Sequence, residues 1–264
     1  EVTKKEIEQI TNKLLTPDEQ KILEENHSVD LAYEDSEGHR YRVNAFHSAT
    51  GITLALRLLR SQVPTLSDLE VPNVVEALTR LSNGLILVTG PSGSGKSTTL
   101  AAMIEQINRN YNKRIITVED PIEYRFENKK SFISQCQLDS GCKSFADTLR
   151  SILRKDPDVI MVGELRDLAT IRLALTAAET GHLVIATLHT NSAIATINRI
   201  IDSFPSAEKQ MVGSVLSMVL RGVISQRLLP LIDGNGVVAA YGVMVVTTAV
   251  SNLIRDGKVH QLPS

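Results

Sequence analysis

The run Gly90-Pro91-Ser92-Gly93-Ser94-Gly95-Lys96-Ser97 has the spacing G-x-x-x-x-G-K-S, and Thr98 follows directly. Small residues allow a backbone to curl until successive N–H groups point at one centre, which suits phosphate oxygens. Lys96 would set its charge on the β- and γ-phosphates of a nucleoside triphosphate, and Ser97 would offer its hydroxyl to Mg²⁺. A helix opening near Lys96 would add the positive end of its dipole. The alternative is a glycine-rich turn that matches by chance. An apolar stretch before the run and a periodic one after it argue against that. Such a loop speaks for triphosphate binding and says little about its purpose.

Hydrolysis also needs an acid that helps to hold Mg²⁺ and a group that positions or deprotonates water. Asp158-Val-Ile-Met-Val-Gly163-Glu164 is an apolar run ending in Gly-Glu, so Glu164 should emerge at the carboxyl edge of a sheet, where ligands sit in open α/β folds. Glu119-Asp120-Pro121-Ile122-Glu123 follows another apolar run and places three carboxylates near the same edge. On spacing alone, a solvated turn started by Asp-Pro is an equal reading. His182 and His189 flank a fourth apolar run, and each reads first as a histidine satisfied at a strand end. A strand of that length separates them, which disfavours a shared metal.

These groups need elements to hold them. The runs Leu85–Val88, Ile115–Val118, Val159–Val162 and Leu183–Ala186 are short and rich in β-branched residues, as strands buried on both faces are. Leu100, Met103, Ile104 and Ile107 repeat at helical spacing, and so do Leu168, Ile171 and Leu175. This alternation predicts a mainly parallel sheet with crossover helices over residues 67–264. Toward the end, Val212–Val223 reads as a helix and Val237–Val246 as a strand. Before residue 67 the chain is rich in Glu and Lys around a strand at Tyr41–Phe46, and prolines at 64 and 72 mark a linker. Residues 1–66 are therefore expected to form a small α+β domain.

A net charge of −2 gives no electrostatic footprint for nucleic acid. Cys136 and Cys142 lack both the number for a disulfide framework and the spacing for a zinc motif, which points to thiols in a reducing cytosol. No apolar run approaches the ~18 residues of a membrane span, and the charged start has neither an initiator Met nor a signal peptide. The expectation is a trimmed cytoplasmic chain that meets a membrane only through a protein partner.

Four segments taken in order resemble the secretion-ATPase superfamily: Gly90–Thr98, Thr117–Glu123, Asp156–Asp167 and Glu179–Asn191. In that family they are the Walker A, Asp-box, Walker B and His-box motifs. Tyr41–Phe46 and Asn198–Pro205 resemble its pilus-retraction, PilT-like branch, and the resemblance runs from about residue 40 onward. It implies a RecA-like P-loop domain after a PAS-like N-terminal domain, with ATP and Mg²⁺ as ligands. Glu123 is similar to the glutamate that acts on the attacking water, and Glu164 to the Walker B acid. His182 and His189 are similar to the paired histidines that connect the site to domain movement. Arg42 and Arg57, surface charges by sequence alone, match arginines that reach the γ-phosphate. The family also implies a ring hexamer, an inner-membrane pilus platform protein and a second pilus ATPase as partners.

The chain departs from the branch in several respects, among them Gly163, which stands before Glu164 where aspartate is more usual. The family's opening Ser-Asp-(Ile/Leu)-His run is absent, so the first domain reads as truncated or reduced. Ser251, within Ala249–Asp256, stands where the branch carries arginine. An assembly or secretion motor therefore stays open, although no four-cysteine insertion favours one. A DNA-translocating conjugation ATPase and a non-hydrolysing nucleotide switch are the readings from other classes.

Overall fold

A computed structural model of the chain describes residues 3–59, 62–138, 144–232, 234 and 236–262. Two compact units divide it: Glu1–Gln62 with the short segment Glu123–Arg125, and Val63–Ile122 with Phe126–Ser264. Cys142 lies outside the described residues, while Cys136 is half-buried.

In the first unit, helices α1 (Lys4–Leu14) and α2 (Pro17–Asn26) precede strands β1 (Ser28–Glu34), β2 (Arg40–Ser48) and β3 (Gly51–Leu59). Both helices open on a capping box, Thr3 with Glu6 and Thr16 with Glu19, which satisfies backbone donors that a first turn leaves without partners. The strands form an antiparallel sheet in the order β1-β2-β3. Leu15, Leu23, Val29 and Ala45 make its small core. The strand expected at Tyr41–Phe46 lies inside β2.

Among the described residues, the second unit carries a seven-stranded sheet and the helices that cover it. After α3 (Asn73–Thr79), which starts directly behind Pro72, come β4 (Gly84–Thr89), α4 (Lys96–Asn110), β5 (Arg114–Glu119) and β6 (Phe132–Gln137). Then follow α5 (Phe145–Leu153), β7 (Val159–Val162), α6 (Leu168–Glu179), β8 (Leu183–Leu188), α7 (Ala193–Asp202) and α8 (Lys209–Val219). Strands β9 (Leu220–Pro230) and β10 (Val237–Val245) precede α9 (Thr248–Arg255). The strand order is β10-β9-β4-β8-β7-β5-β6, and every ladder is parallel except β9 with β10. Each of the four apolar runs is a strand of this sheet. Leu85 and Leu87 point into one core and Ile86 and Val88 into the other, because successive side chains on a strand face opposite ways. Burial on both faces explains why these strands read as continuous apolar runs.

One expectation needs correction. Val212–Val223 is not a single helix: α8 stops at Val219, and Leu220 opens β9. Leu220 to Ser225 pair with the central strand β4, a ladder that outweighs the local helical pattern. The same segment of sequence therefore supplies the strand next to the phosphate loop. Among the described residues, no helix is long and apolar enough to cross a membrane.

Candidate functional site

β4 delivers the chain to Gly90 at the carboxyl edge of the sheet, and α4 leaves from Lys96. The intervening loop is formed by close approach. Gly90 has φ +151°, and a Cβ there would lie 2.3 Å from the Gln226 carbonyl oxygen and 2.5 Å from Ser94 Oγ. Gly95, at φ +85°, would bring a Cβ to 2.8 Å from Gln226 Nε2. Only glycine fits either position. Ser94 Oγ is buried and finds no hydrogen-bond partner among the described residues, an orphaned hydroxyl of the kind a bound oxyanion satisfies. The loop therefore has the form expected of a phosphate cradle, with the amino end of a fifteen-residue helix behind it.

Lys96 is nearly buried, and its Nζ donates to the carbonyls of Gly90 (3.0 Å) and Pro91 (2.9 Å). It also lies 3.4 Å from His189 Nδ1. An ammonium can only donate, so Nδ1 accepts, and the ring's proton sits on Nε2, 3.1 Å from Glu164 Oε1. His189 thus stands between the loop lysine and Glu164. The other oxygen of that carboxylate, Oε2, accepts from Arg166 Nε at 2.7 Å. Arg166 reaches on to Asp120 at 3.4 Å. The bond from Glu164 leads the causes that raise the Arg166 pKa above its ordinary value.

Glu164 is held in place from below. Gly163 N–H donates to Val118 O at 2.8 Å and Leu165 N–H to Thr187 O at 3.0 Å, while the Thr187 hydroxyl donates to Gly163 O. The turn that follows β7 is therefore fixed by both neighbouring strands. Ser97 and Glu164 are hard oxygen donors, the kind Mg²⁺ takes, and Mg²⁺ keeps waters and phosphate oxygens for its remaining positions. Among the described residues there is no cluster of three or more His, Cys, Asp or Glu that would hold a metal without such help.

The three carboxylates after β5 have different fates. Glu119 is buried and accepts from Thr117 Oγ1 (2.7 Å) and Gln135 Nε2 (3.0 Å), so it ties β5 to β6. Asp120 pairs with Arg166. Glu123 opens the short segment that groups with the first unit, where Arg125 pairs with Glu34 at 2.6 Å.

In that unit Arg42 and Arg57 are direct cross-strand partners on one face of the sheet. Like charges placed opposite one another repel, and Asp30 offsets this only weakly at 3.6 Å from Arg42. His182 is not brought to the phosphate loop. It precedes β8 at the amino end, roughly 20 Å from His189 by the rise of an extended strand. Its Nδ1 donates to Ala177 O at 2.9 Å, which is the satisfied strand-end histidine that spacing alone suggested.

A model of the type II/IV secretion system protein family matches residues 13–254. The chain belongs to that family. This member is 47% identical over 264 residues to a twitching motility protein of Neisseria gonorrhoeae, covering 100% of the chain and 71% of the relative. It is 47% identical over 260 residues to the type IV pilus retraction ATPase PilT of Pseudomonas aeruginosa, covering 98% and 75%. A crystal structure of the pilus retraction motor PilT with bound ADP superposes on it with a TM-score of 0.92 at 49% identity, covering 96% of this chain and 74% of that one.

Two participants were not singled out from the sequence. Arg166, two residues after Glu164, bridges that acid to Asp120 across strand ends that are remote in sequence. Gln226 lies against the phosphate loop from β9. Its sequence surroundings, Val223-Ile-Ser-Gln-Arg-Leu-Leu229, carry no motif that marks it. Ser251, the departure noted above, lies on α9, and its hydroxyl donates to Ser217 O in α8 at 2.6 Å.

Proposed function

We propose that this chain is an ATP-hydrolysing motor that powers retraction of type IV pili. The observation that carries the reading is likeness over 98% of the chain to a protein named as a pilus retraction ATPase. The site's chemistry agrees with it. The backbone from Gly90 to Ser97, with Thr98, cradles the phosphates of ATP, and Lys96 exchanges its carbonyl partners for phosphate oxygens. Ser97 and Glu164 would hold Mg²⁺, which would supply positive charge beside the phosphates. His189 links Lys96 to Glu164, so the presence of the γ-phosphate bears directly on the acid. Glu123 orients or deprotonates the attacking water. Arg42 and Arg57 supply positive charge as the phosphoryl group transfers, a contribution worth about 10³–10⁵ in rate where an arginine finger operates. His182 passes the change of nucleotide state to the opposite edge of the sheet.

In this reading the boundary between the domains falls near residue 66. The chain works as a ring hexamer at the cytoplasmic face of the inner membrane. A platform protein of the pilus base and a second pilus ATPase are its partners. Loss of the γ-phosphate contact lets the domains swing, a hinge change that the ring converts into withdrawal of pilin. Two measurements test this. Glu123→Gln should bind ATP and fail to turn it over, and normal turnover removes that residue from the mechanism. A deletion strain should carry long, excess pili, whereas absent pili would mean an assembly motor. Ser251 favours keeping that second reading, since its hydroxyl is engaged within the chain where the retraction branch has arginine.

A further inference from the structure

Strand β9 pairs with the phosphate-loop strand from Leu220 to Ser225, and the last ladder pair is Thr89 with Ser225. The two hydroxyls of that pair lie 3.1 Å apart. The next residue on each strand is Gly90 on one side and Gln226 on the other. Gln226 then touches the loop at both ends. Its carbonyl oxygen occupies the space a Gly90 Cβ would need, at 2.3 Å, and its amide nitrogen occupies that of a Gly95 Cβ, at 2.8 Å. Its Oε1 accepts from Thr99 Oγ1, one turn into α4, at 2.8 Å. Gln226 is 3% exposed and Thr99 is fully buried.

A primary amide in an apolar core is costly unless it is hydrogen-bonded, and a methionine would fill the same volume without that cost. The amide is explained by what it fixes. We propose that Gln226 is a positioning residue for the phosphate loop, setting the separation of Gly90 from Gly95 and the seat of α4. Tyr241 extends the arrangement: it is the cross-strand partner of Gln226 on β10, and its hydroxyl donates to Leu69 O at 3.2 Å. The loop is thereby joined through one strand pair to the turn at residues 66–70, which follows the linker. The inference rests on the reading of this loop as an ATP site and adds to it a residue outside the family's named motifs.

The test is ATP affinity of the full chain for Gln226→Met and Thr99→Val, singly and together, with thermal unfolding of each and Lys96→Ala as the control. Gln226→Met should weaken ATP binding about tenfold in a protein that remains folded, the scale of one buried hydrogen bond. The double variant should lose little more than the worse single one, because both remove the same contact. Unchanged affinity in folded Gln226→Met overturns the proposal, since a merely structural role would shift unfolding alone. Additive losses overturn the Thr99 contact as its route. Should Gln226→Met give no folded protein, Gln226→Glu replaces it. That variant keeps the shape and the acceptor but loses the N–H donors beneath Gly95, so it too should bind more weakly, and undiminished binding overturns the proposal. If the unaltered chain binds no ATP and Lys96→Ala changes nothing, the nucleotide reading itself falls, an outcome distinct from the others.

Discussion

Replacing Gly90 with alanine tests whether the phosphate loop is shaped by close packing or only by flexibility. The added Cβ would meet the Gln226 carbonyl at 2.3 Å and Ser94 Oγ at 2.5 Å, where real Cβ contacts essentially never fall below 3.0 Å. The carbonyl belongs to a strand paired on both sides, so the loop has to give, by at least ~0.7 Å. Backbone strain at φ +151° contributes about 1–3 kcal/mol and overpacking about as much again. Gly93 is the internal control. Its φ of +76° is also in the left-handed half of the map, though less costly for alanine, and a Cβ there meets nothing within 4 Å among the described residues. Gly93→Ala should therefore cost only about 1–2 kcal/mol of backbone strain. Misplacement of reacting groups by an ångström costs on the order of a hundredfold. We therefore expect Gly90→Ala to lower ATP turnover about a hundredfold and Gly93→Ala about tenfold or less. Steady-state hydrolysis, with circular dichroism to confirm folding, measures both. Equal losses in the two variants would refute the packing argument.

Three further outcomes follow from other parts of the second unit. Burial alone would raise the pKa of Glu105, but hydrogen bonds from Lys129, Arg109 and Asn108 outweigh it and hold the carboxyl below its ordinary value. A lowered folded pKa means stability that is complete at neutral pH and lost as pH falls, so the margin of the unaltered protein over Glu105→Gln should be constant above about pH 5 and shrink below it, read from melting temperature against pH. His189→Ala removes the link between Lys96 and Glu164. It should leave ATP binding within a few-fold of normal while lowering turnover about 10²-fold, measured as kcat against Kd. Ile160→Ala at the fully buried centre of β7 should destabilise by about 2–5 kcal/mol in denaturant unfolding, with no specific effect on nucleotide affinity.

How far the sequence discloses this molecule depends on the range of the interaction. β4, β5, β7 and β8 are legible because each is buried on both faces and so carries an apolar run. The phosphate loop is legible because its chemistry is local, with glycines, lysine and serine adjacent in the chain. The contact of His189 with Glu164 joins residues on neighbouring strands, and spacing gave each histidine only a strand end. Resemblance gave the two histidines one shared role, and they lie at opposite ends of β8, as the length of the apolar run between them implied. The helix read through Val212–Val223 shows the opposite limit. Its apolar periodicity is real as far as Val219, after which pairing with β4 decides the conformation, and no local pattern reports that pairing. Gln226 was missed for the same reason. An amide between a serine and an arginine acquires meaning only when the neighbouring strand is known.

The separation of the histidines along β8 has a mechanical side. All six residues of β8 are buried, and the strand is hydrogen-bonded to β4 on one side and β7 on the other. A close-packed interior has low compressibility, so such a strand is stiff along its axis and transmits a push with little loss. In the reading proposed above, force applied at the His189 end would arrive at the His182 end, where the imidazole donates to Ala177 O in the last turn of α6. On that proposal the strand would be a strut, with the sensing histidine at one tip and a helix held at the other. Its worth lies in what does not deform.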